Sequence, residues 1–293
     1  MVYDLIIIGA GPAGLTASIY ASRYRIKHLV LAKDLGGAMA LASAVENYPG
    51  FERISGLELA QKMLAQTQKL GAEVKWEEVI SIRKNGEVFE LETALGNKYQ
   101  AKTLILAMGT RRRELGVPGE KEYLGKGVSY CATCDAAFFK EKIVAVIGGA
   151  NAAVMSADHL SRFASKVYLI YRKKPLRAEP IWRERVEKNE KIEIIYETNV
   201  LEILGDGDKV TGVKIDRPYQ EKEILGVDGV FVEIGGVPGT ELAKNLGVET
   251  DDKGYIKVNS QMETNVPGVF AAGDIANVAG ELQQIVVAAG EGA

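Results

Sequence analysis

The first thirty residues consist of two apolar runs separated by a glycine-rich turn and an amphipathic stretch. The apolar run over residues 3–8 predicts a buried strand, and a helix-compatible stretch continues to about Tyr24. A second apolar run, residues 28–31, predicts the next strand. The turn between the first strand and the helix has the spacing GxGxxG. This order predicts a βαβ unit with glycines at its first turn.

Each glycine of this turn has its own physical use. Gly9 permits the tight turn, Gly11 lets a pyrophosphate approach bare backbone, and Gly14 lets the helix pack close to the strand. The free N–H groups of the helix N-terminus then face the phosphates. We therefore predict a dinucleotide site formed by Gly9, Gly11, Pro12, Ala13 and Gly14.

The same layout returns in the middle of the chain. Residues 142–147 predict a strand, residues 148–153 read GGANAA, and a helix and another strand follow. We predict a second dinucleotide site at Gly148, Gly149 and Asn151. Ala150 occupies the middle place, where glycine normally lets a pyrophosphate come close. Either a small shift accommodates its Cβ, or this site has lost its nucleotide.

The two copies predict an α/β fold with two Rossmann-like dinucleotide-binding domains of three layers each, the second inserted into the first. Each βαβ unit is followed by shorter β-rich segments with turns at 85–86 and 205–208. Plausible linkers, rich in Gly and Pro, are residues 111–120 and 235–241. The expected domains are 1–113 with 241–293, and 114–240.

Composition narrows the class of protein. The 36 basic and 39 acidic residues nearly balance, which argues against a nucleic-acid partner. Two cysteines in 293 residues are too few for a secreted disulfide scaffold, so we expect a reducing compartment, the cytoplasm. The N-terminal apolar run lacks a basic leader and is soon broken by glycine, so we expect neither a signal peptide nor a membrane span.

The two cysteines, Cys131 and Cys134, lie three positions apart. Such a pair can supply half of a zinc site, but the only histidines, His28 and His159, lie far away on different predicted elements, and we predict no metal. Two inert, buried thiols are a second alternative. The third is a redox-active pair, in which one thiolate attacks a partner disulfide and the other thiol resolves it. Asp135 would then transfer protons, or it would simply cap a helix.

A basic segment follows the second strand of the second copy. Arg172, Lys173, Lys174 and Arg177 lie where a 2′-phosphate would need cations, which favours NADPH over NADH. The alternative is a solvated charge run on a surface loop.

Taken together, these motifs resemble the low-molecular-weight thioredoxin reductases over nearly the whole chain. CATCD lies just upstream of the second nucleotide unit. Residues 36–51 are similar to the family's FAD-ribityl segment, 103–110 to its Ala-Thr-Gly stretch, 171–179 to its NADPH motif and 264–275 to its second FAD motif. On this resemblance the further FAD-binding residues are Gly36, Gly37, Asn47, Gly109, Gly273, Asp274, Gln283, Gln284 and Ile285.

The resemblance implies a specific electron path. FAD would bind the first domain and NADPH the inserted one, with Arg172, Lys173 and Arg177 holding the nucleotide. Electrons would pass from NADPH through FAD to a Cys131–Cys134 disulfide and then to thioredoxin or a thioredoxin-like protein. Cys134 would lie next to the flavin, Cys131 would exchange with the partner, and Asp135 would be the general acid and base. The resemblance also implies a homodimer and a rotating inserted domain.

Several positions depart from the family pattern. Ala150 and Ala152 replace Gly and Ser of its GGGxSA turn, which leaves ferredoxin or another donor as the alternative to NADPH. Ala38 replaces Gln, and Gln283 replaces Arg. The chain stops at AAGEGA, inside what the resemblance makes a longer helix, which leaves a truncated and a native C-terminus as alternatives. A non-catalytic redox sensor remains an alternative from another functional class.

Overall fold

The computed structural model describes residues 1–278 and 282–293. The strands are β1 (Val2–Ala10), β2 (His28–Leu35), β3 (Glu73–Trp76), β4 (Val79–Asn85), β5 (Val88–Thr93), β6 (Lys98–Leu106), β7 (Thr110–Arg112), β8 (Val128–Ser129), β9 (Ile143–Ile147), β10 (Lys166–Ile170), β11 (Ile192–Ile195), β12 (Val200–Gly205), β13 (Val210–Tyr219), β14 (Lys222–Gly226), β15 (Gly229–Val232), β16 (Gly236–Pro238) and β17 (Val269–Ala271). The helices are α1 (Pro12–Arg23), α2 (Gly56–Lys69), α3 (Ala132–Asp135), α4 (Asn151–Ser161), α5 (Pro180–Glu187), α6 (Glu241–Asn245) and α7 (Ile285–Gly292), with 3₁₀ turns at Gly37–Leu41 and Ala136–Phe139.

The chain divides into two compact units. Unit 1 comprises Met1–Arg111 and Val237–Ala293, and unit 2 is the continuous segment Arg112–Gly236. The short strands β7 and β16 pair as a two-stranded sheet. The chain leaves unit 1 within β7 and returns to it within β16. The sequence places the domain boundaries slightly later, at 113/114 and 240/241.

Unit 1 is built on a seven-stranded sheet of order β3-β2-β1-β6-β5-β4, with β17 also pairing with β6. Strands β3, β2, β1, β6 and β17 are parallel neighbours, whereas β5 and β4 are antiparallel. Along β1 the side chains alternate between two cores: Leu5 and Ile7 pack with α1 and α2, and Ile6 and Ile8 pack on the opposite face. Burial of both faces explains why the strand reads as a continuous apolar run.

Unit 2 repeats the layout on a five-stranded parallel sheet of order β11-β10-β9-β15-β8. Helices α4 and α5 cover one face, on which Val144 and Val146 pack. The antiparallel sheet β12-β13-β14 covers the other, on which Ala145 and Ile147 pack. The predicted α/β class with parallel Rossmann-like sheets is confirmed. Among the described residues, no helix combines the length and apolar character that crossing a bilayer requires.

Candidate functional site

The glycine turn of unit 1 places its three glycines in three different surroundings. Gly9 has a φ of +113°, and a Cβ there would lie 2.3 Å from the carbonyl oxygen of Ala107. A Cβ at Gly14 would lie 2.0 Å from the carbonyl oxygen of Gly9, so only glycine lets α1 pack this closely. At Gly11 the nearest atom would be the Gly36 carbonyl oxygen, 3.9 Å away. The open backbone at Gly11, the residue before α1, fits a pyrophosphate group.

Three other glycines predicted to bind the cofactor follow strands of the same sheet. Gly36 and Gly37 follow β2 with φ values of +79° and +51°, and Gly109 follows β6 with a φ of +60°. The Gly36 N–H donates to the carbonyl of Ala10, at the end of β1, over 2.8 Å. Because the carboxyl ends of parallel strands share one edge of a sheet, these glycines border the same edge as the GxGxxG turn.

Gly273 and Asp274 reach this edge from the C-terminal segment. A Cβ at Gly273 would lie 3.0 Å from the Cβ of Ala13, which with Pro12 opens α1. The Gly273 N–H donates to Glu291 Oε2 over 2.7 Å. Asp274 is half-buried, burial raises the pKa of its carboxyl, and from the described residues it accepts no hydrogen bond. Such a carboxylate fits a ligand that offers hydroxyl donors, as a ribityl chain does.

Of the remaining residues predicted on the flavin side, Gln283, Gln284 and Ile285 lie at or just before the start of α7, and Asn47 contacts one of them. Asn47 Nδ2 donates to Gln284 Oε1 over 2.9 Å, although the two residues are 237 positions apart. Gln283 Nε2 donates to the Tyr255 hydroxyl over 3.2 Å, and Ile285 is the first residue of α7. Folding therefore brings Asn47, from the 36–51 segment, to the C-terminal segment.

The second glycine turn has the same backbone shape as the first. Ala150 precedes α4 with φ −100° and ψ −178°, close to the φ −78° and ψ −175° of Gly11 before α1. This is extended backbone, which alanine adopts without strain. Gly148, by contrast, has a φ of +145°, and a Cβ there would lie 2.2 Å from the Glu233 carbonyl oxygen. The departure at Ala150 thus adds a methyl group but no backbone strain.

The basic segment lies against this second turn. The Arg177 N–H donates to the Gly149 carbonyl over 2.6 Å. Asn151, at the start of α4, hydrogen-bonds Glu179. The structure therefore brings together two predicted parts of one site: the turn over 148–151 and the cations Arg172, Lys173 and Arg177, all three of which are exposed.

Cys131 and Cys134 form a disulfide at the start of α3, with their Cα atoms 5.4 Å apart. Cys131 precedes the helix, and its Sγ accepts a hydrogen bond from the Cys134 N–H over 3.2 Å. The Cys131 N–H donates to Ser129 Oγ over 2.9 Å. Cys134 is exposed and Cys131 is half-buried. An N–H donor and a helix N-terminus are both features that stabilise the thiolate of a reduced cysteine.

The structure separates the three alternatives for this pair. Inert buried thiols are wrong, because the sulfurs are bonded to each other and Cys134 is exposed. Among the described residues, no group of three or more His, Cys, Asp and Glu could hold a metal, and His28 is hydrogen-bonded to Ser18 Oγ at 2.7 Å. Asp135 is the last residue of α3, and its side chain makes no helix-capping hydrogen bond.

Glu233 is a buried acid that the sequence analysis missed. It follows β15, its side chain is 3% exposed, and it forms an ion pair with Arg112. Its other carboxylate oxygen accepts a hydrogen bond of 3.0 Å from Ser156 Oγ on α4. Burial raises the pKa of Glu233, and the Arg112 charge opposes that shift. The sequence signal that could have identified Glu233 as a buried acid was its position as the single charge within the apolar run GVFVEIGG.

The family model for pyridine nucleotide-disulphide oxidoreductases matches residues 3–292. The chain belongs to this family. Membership of the pyridine nucleotide-disulphide oxidoreductases implies a flavin and a pyridine nucleotide as cofactors.

Thioredoxin reductases recur among the similar members of the family. The thioredoxin reductase of Listeria monocytogenes is 45% identical over 293 residues, which cover 99% of this chain and 91% of the relative. Among solved structures, the thioredoxin reductase of Lactococcus lactis has a TM-score of 0.94 at 39% identity, over 99% of this chain and 95% of that one. The enzyme of T. acidophilum has a TM-score of 0.93 at 41% identity, over the same shares. The resemblance to low-molecular-weight thioredoxin reductases is confirmed.

Proposed function

We propose that this chain is a flavoprotein thioredoxin reductase. It carries electrons from NADPH through FAD and the Cys131–Cys134 pair to thioredoxin or a similar protein disulfide. The observation that carries the proposal is a disulfide at a helix N-terminus, with Cys134 exposed, in a chain 45% identical along its length to a thioredoxin reductase.

The two cofactors are assigned to different domains. FAD belongs to 1–113 and 241–293, which is supported by the open backbone at Gly11 and by the Asp274 carboxylate, which accepts no hydrogen bond from the described residues. NADPH belongs to 114–240, which is supported by the basic segment beside the second turn. A bound flavin would supply the two-electron chemistry that links the pyridine nucleotide to the disulfide.

The cysteine pair performs the exchange with the protein partner. Reduction of the Cys131–Cys134 bond takes two electrons and two protons. The Cys131 thiolate then attacks one sulfur of the partner disulfide, and the partner's other sulfur leaves and takes up a proton. Cys134 attacks Cys131 Sγ, which re-forms the intramolecular bond and releases the second partner thiol. Asp135, which follows Cys134 directly, is assigned the proton transfers.

NADPH is favoured over ferredoxin as the donor. The matching family is named for its pyridine nucleotide, and the chain carries Arg172, Lys173 and Arg177 beside the second turn. Anaerobic addition of NADPH should bleach the flavin absorption of the purified protein, and thioredoxin disulfide should then be reduced over many turnovers. A flavin that responds only to reduced ferredoxin would move the proposal to the alternative donor.

Two further assignments complete the proposal. A homodimer is supported by the resemblance to the family, and light scattering of the flavin-loaded protein tests it. A cytoplasmic location is supported by the low cysteine content. Fractionation of the source cells tests the second assignment.

A further inference from the structure

The side chain of Asn151 makes both of its described hydrogen bonds to one residue of the basic segment. Its Oδ1 accepts from the Glu179 N–H over 2.8 Å. Its Nδ2 donates to Glu179 Oε1 over 3.3 Å. Asn151 is the first residue of α4, and Glu179 directly precedes α5. One side chain therefore ties the second glycine turn to the far end of the basic segment.

Two more contacts hold the segment to the same turn. The Arg177 N–H donates to the Gly149 carbonyl over 2.6 Å. Gly149 lies against the Tyr171 ring so closely that a Cβ would approach its carbons to 2.3–2.5 Å. Residues 171–179 are thus attached at their beginning, at residue 177 and at their end.

We propose that Asn151 is a positioning residue that makes the site selective for the 2′-phosphorylated nucleotide. It does so by holding the cations of residues 172–177 at a fixed place relative to the turn. The inference rests on the proposed use of NADPH. A 2′-phosphate gains from Arg172, Lys173 and Arg177 only if these cations stay in place when the turn holds the rest of the nucleotide. A segment restrained before binding loses less freedom on binding, so the restraint increases affinity for the 2′-phosphorylated nucleotide alone.

This role differs from direct contact with the nucleotide, and the two have different consequences. A direct ligand of the shared part of the nucleotide would bind NADPH-type and NADH-type ligands alike. Loss of a positioning residue instead weakens only the ligand that uses the positioned cations.

The test measures binding rather than turnover. Calorimetry with the flavin-loaded protein would compare adenosine 2′,5′-bisphosphate with adenosine 5′-monophosphate. We expect Asn151→Ala to weaken the bisphosphate about tenfold and the monophosphate less than about twofold, which corresponds to loss of roughly one to two hydrogen bonds of positioning. Glu179→Ala should give a smaller loss, because the backbone N–H of residue 179 still has its acceptor.

Exchanging the amide of residue 151 and the carboxylate of residue 179 should rescue the selectivity. Asn151→Asp alone places two carboxylates together and should lower selectivity, whereas Asn151→Asp combined with Glu179→Gln should restore it. The matched control is Asn199→Ala, since Asn199 Nδ2 bonds Asp216 Oδ2 over 2.7 Å elsewhere in unit 2. The control should leave the ratio of the two affinities unchanged.

The outcomes distinguish this inference from the proposed function. A wild-type protein without preference for the bisphosphate would refute NADPH as the donor. A preference that survives in Asn151→Ala, or an equal loss for both ligands, would overturn the positioning role and leave the donor assignment intact. Failure of the exchanged pair to recover selectivity would also count against it.

Discussion

Tyr130 donates a hydrogen bond of 2.7 Å to the buried carboxylate of Glu120 and so fixes the residue that precedes Cys131. The same carboxylate accepts from the N–H groups of Leu115 and Gly116, each over 2.7 Å. Glu120 is 1% exposed. Burial and this carboxylate raise the pKa of Tyr130, which keeps its phenol protonated as the donor. The end of the first linker and the redox segment are therefore held by one side chain.

Removal of this carboxylate should destabilise unit 2. Glu120→Ala leaves three donors, two of them on half-buried residues, without their acceptor, for an expected loss of about 2–3 kcal/mol. Tyr130→Phe removes one bond to the carboxylate, for about 1–2 kcal/mol. Thermal unfolding of the flavin-loaded protein measures both. The exposed Glu122→Ala is the matched control, and an equal melting temperature in Glu120→Ala and this control would contradict the role of Glu120.

The two cysteines should be needed for electron transfer from the flavin to thioredoxin, but not for reduction of the flavin by NADPH. Cys131→Ser and Cys134→Ser should each lower thioredoxin reduction by at least about a thousandfold, because each removes a sulfur of the exchange. NADPH should still bleach the flavin in both variants. Stopped-flow absorbance and a coupled thioredoxin assay measure the two steps, with Thr133→Ser as a control that keeps both sulfurs. Normal turnover by either cysteine variant would refute the dithiol mechanism.

Two substitutions in the first glycine turn should affect folding and cofactor binding separately. A Cβ at Gly14 meets the Gly9 carbonyl oxygen at 2.0 Å, so Gly14→Ala forces the backbone apart and should cost several kcal/mol of stability, about as much as overpacking a core. The added methyl group of Gly11→Ala would make only an ordinary contact, 3.9 Å from the Gly36 carbonyl oxygen, so the fold should persist while FAD is retained poorly. Unfolding of the apoprotein and the flavin content after purification measure the two effects. Full flavin retention in Gly11→Ala would disagree with a pyrophosphate at this position.

Asp274 should make the stability of the flavin-free protein fall as pH rises. Burial raises its pKa above the ordinary value of 3.8, so the folded state binds the proton more tightly than the unfolded state. The contribution of this tighter proton binding to the free energy of unfolding is complete below pH 3.8. It is lost as pH rises through the higher pKa of the folded state. Asp274→Asn should therefore stabilise the apoprotein at neutral pH and change little near pH 3.8. Urea unfolding across this range measures the difference, and parallel pH curves for the two proteins would contradict it.

The two βαβ units and their glycine turns could be read from consecutive residues. An apolar run such as residues 3–8 is the direct consequence of a parallel strand buried on both faces, and GxGxxG is the consequence of one backbone shape. The Cys131–Cys134 pair could likewise be recognised from its spacing. What the motif could not reveal was the effect of Ala150, because the backbone angles of a turn depend on the packing around it.

The partners of the polar side chains could not be read in this way. Three hydrogen-bonded pairs show this: Tyr130 and Glu120 are 10 positions apart along the chain, Asn151 and Glu179 are 28 positions apart, and Arg112 and Glu233 are 121 positions apart. No periodicity of the chain marks such pairs, since each depends on where two separate elements meet. Consecutive residues thus established the kind of fold and the candidate chemistry. Folding established which groups hold that chemistry in place, because hydrogen-bond partners are selected by distance in space rather than by order along the chain.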